Sequence, residues 1–74
     1  MDSALTDVIL DVQITPGDIL MARMLDVYQN PVSEPEQVRT NADVEWLREH
    51  YGLGRDAIRC SPEVQRILDV NSLE

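Results

Sequence analysis

Residues 15–29 read Thr-Pro-Gly-Asp-Ile-Leu-Met-Ala-Arg-Met-Leu-Asp-Val-Tyr-Gln, and whether this stretch is helix or strand decides what kind of domain the chain makes. Thr15 has the side-chain oxygen of a helix N-cap, and Pro16 suits the first helical position, where its missing N–H is not needed. Asp18 completes a capping box and faces the positive end of the helix dipole. Beyond it, Ile19, Leu20, Met21, Met24, Leu25, Val27 and Tyr28 cover most of a helical wheel, leaving Arg23, Asp26 and Asn30 as a narrow polar stripe. The pattern predicts a central helix over 18–29, more apolar than one short chain can readily bury. Asn30-Pro31 stops it.

Upstream, Val8, Leu10, Val12 and Ile14 alternate with Asp7, Asp11 and Gln13, with Ile9 the one exception. Period two predicts a half-buried strand within 6–15; a helix from Ser3 to Val12 is the competing reading. Downstream, Ser33-Glu34-Pro35-Glu36 is a second capping-box start and Thr40-Asn41-Ala42-Asp43 a third. Residues 34–51 are therefore one long helix, or a short turn and a helix from 42. On that helix Ala42, Val44, Trp46, Leu47 and Tyr51 share a broad arc, and Gly52 and Gly54 end it through a left-handed cap. Residues 56–60 are short and alternating, suited to a brief strand pairing with the first. Ser61-Pro62 then starts a last helix with Val64, Ile67 and Leu68 inward, ending near Val70, with 71–74 as a frayed tail. The expected fold is a single mostly helical α+β domain over 1–74: a short N-terminal strand followed by three helices, with an all-α domain as the alternative.

Seventy-four residues leave room for one small core, which buries only roughly 60% of the surface its unfolded chain exposes. With 43% hydrophobic residues and 27% charged, the composition is that of a folding chain and not of a disordered one. Charge is the strongest compositional signal. Fourteen Asp and Glu against six basic residues give a net charge of −8, and every basic residue is Arg. Such a chain is repelled by phosphate backbones and anionic lipid heads, so neither direct nucleic-acid binding nor membrane binding is expected. Genome bias, halophily and selection for a negative surface all account for the missing Lys. The acidic N-terminus does not resemble a signal peptide, no apolar run spans a membrane, and Cys60 is alone. A cytoplasmic address follows, in a cell or an infected host.

Few residues invite catalysis. His50 is the one histidine, and a metal or acid–base site needs further ligands that Cys60 alone does not supply. Packing or capping of a helix C-terminus accounts for His50, and a small apolar role for Cys60. Tyr51-Gly-Leu-Gly54 follows a helix instead of a strand and has no lysine downstream, so it reads as a helix-ending turn and not as a phosphate loop. No enzyme activity, catalytic residue, cofactor or metal is expected.

What remains is binding. A lone strand leaves backbone groups unpaired, and an all-round apolar helix asks for a partner. The leading expectation is a non-enzymatic acidic protein–protein interaction module: a small regulatory, adaptor or assembly factor whose partner is another protein with a basic surface. A phage-type inhibitor that blocks a nucleic-acid-binding protein by negative-charge mimicry is the alternative, and a virion or assembly component a further one; a homodimer is a second way to cover the apolar surface. The candidate partner-binding residues are Asp7, Asp11, Asp43, Glu45, Glu49, Trp46 and Tyr28.

Overall fold

A computed structural model describes residues 8–73. Residues 15–29 are not a helix. They form a turn, then strand β2 (Leu20–Leu25), which pairs antiparallel with β1 (Ile9–Ile14) from Ile9↔Leu25 to Ile14↔Leu20. After a second turn, β3 (Glu36–Val38) pairs antiparallel with β2. Helix α1 (Asn41–His50) follows, then β4 (Ile58–Arg59), parallel to β1 on its other side, and α2 (Pro62–Ser72). The result is a mixed sheet of order β3-β2-β1-β4 with two helices. This corrects the expectation of one strand followed by three helices, and equally the all-α alternative.

The physical reason lies in the turns. Thr15-Pro16-Gly17-Asp18 satisfies a capping box, but the same residues satisfy a three-residue hairpin loop. The Thr15 N–H donates to Ile19 O at 2.9 Å, the Asp18 N–H to Thr15 O at 2.9 Å, and Asp18 takes φ 63°. This is a type I turn, for which proline is well suited, closed by one left-handed residue. The chain repeats the device at 26–30: Asp26 N–H donates to Asn30 O, Gln29 N–H to Asp26 O, and Gln29 takes φ 70°. The Asp26 carboxylate also receives the Tyr28 and Asn30 N–H groups. A turn at each end leaves too few residues between for a helix, and a strand results.

The alternation read in β1 is observed. Leu10 and Val12 are buried, with Val8 and Ile14 packed beside them, against Leu20, Ala22 and Val38 of the neighbouring strands. Val44 and Leu47 of α1, Leu53, and Val64 and Leu68 of α2 close the same cluster, so both helices cover one face of the sheet. Leu25 is equally buried but lies outside that cluster, on the opposite face with Ile9. β2 thus looked apolar all round because it buries side chains on both faces, as an inner strand does.

Helix starts were legible where nothing competed with them. Thr40 caps α1 in a reciprocal box with Asp43, and Ser61 caps α2 with Pro62 in its first turn. At the far end of α1, Gly52 at φ 71° is followed by buried Leu53, whose N–H donates to Arg48 O, while the Gly52 N–H donates to Glu49 O. That is a Schellman ending, and the left-handed glycine is what it requires. The expected pairing of 56–60 with the first strand is present as β4. α2 runs through Ser72, whose hydroxyl accepts the Asn41 N–H and donates to Leu68 O.

Candidate functional site

At about 100° per residue, α1 divides into three arcs. Val44, Leu47 and Tyr51 look into the core. Glu45 and Glu49 look outward, with Arg48 beneath them. Asp43, Trp46 and His50 form the flank beside β3. Trp46 is 62% exposed, so the largest side chain of the domain is not in its core. Its ring stacks on His50 at 4.9 Å between centroids, the planes 7° apart. His50 in turn meets Tyr51 edge-on at 5.4 Å, and the Tyr51 hydroxyl donates to Glu36 of β3 at 3.4 Å. An aromatic ladder therefore ties the exposed indole back to the sheet. Between the Asp43–Trp46 side of α1 and β3 lies an open groove of about 340 Å³ lined by Glu36, Gln37, Val38, Arg39, Asp43, Trp46 and Leu47.

The electrostatics of this flank are mostly negative and partly fixed. The backbone N–H groups of Arg39 and Thr40 donate to the Asp43 carboxylate at 2.9 and 3.2 Å, which holds it below the usual carboxylate range. On the outer arc, Arg48 donates to Glu45 at 2.8 Å, lowering the Glu45 pKa, and comes within 3.6 Å of Glu49. The Arg48 guanidinium is buried and also donates to Leu53 O, while its Nε has no partner among the described residues.

Four of the candidate residues, Asp43, Glu45, Trp46 and Glu49, thus share the outer surface of α1. The others lie elsewhere. Tyr28 is 79% exposed at the tip of the β2–β3 turn, and Asp7 lies outside the described residues. Asp11 sits on the helix-free face of the sheet and is only 4% exposed. It accepts from Gln13 at 2.8 Å and from Arg59 at 3.0 Å, and the register places Arg23 opposite it on its other side. Arg59 continues to Gln29 at 2.6 Å. Asp11 is therefore the centre of a cross-strand charge row and no free anion. Glu36, His50 and Tyr51 stand outside that candidate set but belong to the flank. The i, i+4 spacing of Trp46 and His50 was the one available signal, since it places two rings on one side of a helix.

His50 and Cys60 have separate partners. Cys60 packs against the core and contacts Gln65, and burial, then the nearby Asp11 and Asp69 charges, push its thiol pKa up, away from a reactive thiolate. No three His, Cys, Asp or Glu side chains group as a metal site among the described residues, and no helix there is long and apolar enough to cross a membrane. No protein-family model matches the chain, and neither does any curated protein or solved structure.

Proposed function

We propose that this chain is a non-enzymatic protein-binding module that engages a partner of basic surface through the Trp46 flank of α1. One observation carries the reading: a domain with so small a core leaves its single tryptophan 62% exposed, with the ring stacked on His50. Trp is the residue type most enriched at binding hot spots, and a pre-ordered ring costs less entropy on binding. Around it four carboxylates, Glu36, Asp43, Glu45 and Glu49, outnumber Arg39 and Arg48, and this net negative surface favours a cationic partner over an anionic one.

Charge mimicry has a narrower footing. Asp11 is buried in an ion pair, Glu45 and Glu49 share Arg48, and Asp43 is engaged by the helix cap. Few carboxylates are left free to stand in for a row of phosphates.

The test is affinity capture from host extract with Trp46→Ala beside Val70→Ala, which truncates another exposed apolar side chain. Both variants should keep the parent Tm within a few degrees, because neither side chain is in the core. Capture should be lost with Trp46→Ala alone, and for the parent should fall steeply between low and high salt. Equal capture by the two variants would sink the reading.

A further inference from the structure

The outer side of β3, which pairs with no other strand among the described residues, deepens that reading. The Thr15–Ile19 bond sets the phase of the ladder: alternate residues of β2 turn to β1, and Leu20, Ala22 and Met24 turn to β3. Two further bonds agree, Leu10 N–H to Ala57 O and Val32 N–H to Met24 O. Across from β2, Glu36 and Val38 therefore use their backbone groups on Ala22 and Leu20. The N–H and C=O of Gln37 point away from β2, at the edge where Gln37 also lines the groove beside Trp46.

The edge is blunted on either side of that position. Pro35 has no N–H, and the Arg39 N–H is taken by Asp43. One residue's worth of backbone pairing is left, at Gln37. The strand pleat then fixes what an added strand would present. The Glu36 side chain is on the helix side, where it meets Tyr51, so the Gln37 side chain is on the other face. A residue paired with Gln37 likewise turns its side chain to the helix-free face, and its two neighbours turn theirs toward Glu36, Asp43 and Trp46.

We propose that the module takes an extended segment of another protein as a short fifth strand on β3. One residue of the segment exchanges both backbone hydrogen bonds with Gln37, and Arg or Lys on either side of it reaches Glu36, Asp43 and the face of Trp46. The inference rests on the Trp46 reading above and adds the mode and the ligand class. Charge selects this occupant over a second copy of the chain, because a β3–β3 seam would bring two Glu36 and two Asp43 into one groove with only the two Arg39 to offset them. A cation, in contrast, gains both the carboxylates and the indole face.

The probe is an end-blocked Thr-Arg-Val-Arg-Thr peptide, followed by NMR at the Gln37 amide and the Trp46 indole N–H. Both signals should shift, and exchange of the Gln37 amide should slow by about tenfold at saturation, since its opening then requires loss of the peptide. N-methylation of the central Val should weaken binding about tenfold, and Glu in place of both Arg should abolish it. Gln37→Pro removes the outward N–H without touching the β2 ladder, a change an edge strand tolerates; it too should bind about tenfold more weakly at unchanged Tm. If that variant does not fold, the N-methyl peptide makes the same measurement. A peptide that shifts Trp46 but leaves Gln37 exchange unaltered overturns strand addition and leaves the Trp46 flank standing. No shift at millimolar peptide overturns it as well, and the Trp46→Ala capture then judges the wider reading alone. Sedimentation as a dimer that Gln37→Pro dissolves would assign the edge to a second copy instead.

Discussion

Asp11→Asn tests how much the helix-free side of the sheet contributes to stability. The carboxylate is 4% exposed and accepts two hydrogen bonds, from Gln13 at 2.8 Å and from Arg59 at 3.0 Å. Asparagine keeps one acceptor oxygen, so one donor loses its partner and the attraction to Arg59 is lost. Two unit charges at about 4 Å attract by about 4 kcal/mol at an effective dielectric of about 20. The Arg59 side chain is 48% exposed, so solvent screening and the cost of burying the carboxylate remove most of that. What remains is about 1–2 kcal/mol, in line with hydrogen bonds to a charged group. In a domain this small each kcal/mol lowers Tm by roughly 4–8 °C. Urea unfolding of Asp11→Asn, Arg59→Gln and the double variant should give a coupling of about 1 kcal/mol that shrinks in 1 M salt. A single-variant cost below about 0.3 kcal/mol with no coupling would refute the reasoning, and would make the buried carboxylate a passenger.

Acid should weaken the start of α1. The folded-state pKa of Asp43 is lowered, first by the Arg39 N–H and then by that of Thr40. Its stabilisation is therefore complete above the unfolded value of about 3.9 and is lost as pH falls through the lower folded value. Asp43→Asn should flatten the acid limb of a urea-midpoint titration, and an unchanged limb would exclude the mechanism. Separately, Asp18 holds φ 63° with no hydrogen bond from its side chain among the described residues, so Asp18→Gly should stabilise by about 0.5–1 kcal/mol by relieving the left-handed conformation. A lower Tm would show that the β1–β2 turn is not under that strain.

How much of this was legible turned on local competition. Thr40 with Asp43, Ser61 with Pro62, and Gly52 have one sensible reading each, and both helices begin or end on them. The β1 alternation was equally clear. Thr15-Pro-Gly-Asp and Ser33-Glu-Pro-Glu were not, because capping boxes and turns draw on the same residues. The helical wheel then rewarded the wrong choice: a strand buried on both faces shows no polar side, and neither does a buried helix. With β2 taken for a helix, β1 had no neighbour, and the case for a partner rested on a strand and a helix that both find their burial within the chain. The case now rests on Trp46, whose exposure no periodicity revealed, since it sits one residue from core Leu47 at the border of the apolar arc. Asp11 was placed on the correct face, but nothing local showed that Arg59 lies beside it across 48 residues.

That same separation orders the making of the protein. β1, β2 and β3 are neighbours in sequence and can form a meander as soon as they are synthesised, whereas the outer side of β1 waits for β4. Leu10 donates its N–H to Ala57, and Leu10 and Asp11 pair with Ile58 and Arg59. Until the ribosome has released that segment, an apolar strand stands at the rim of an unfinished sheet, able to zip onto any neighbouring nascent chain. A stalled or clipped product ending between α1 and β4 would keep that rim open, the kind of unpaired edge from which aggregation is expected to start; two residues of β4 are the seal.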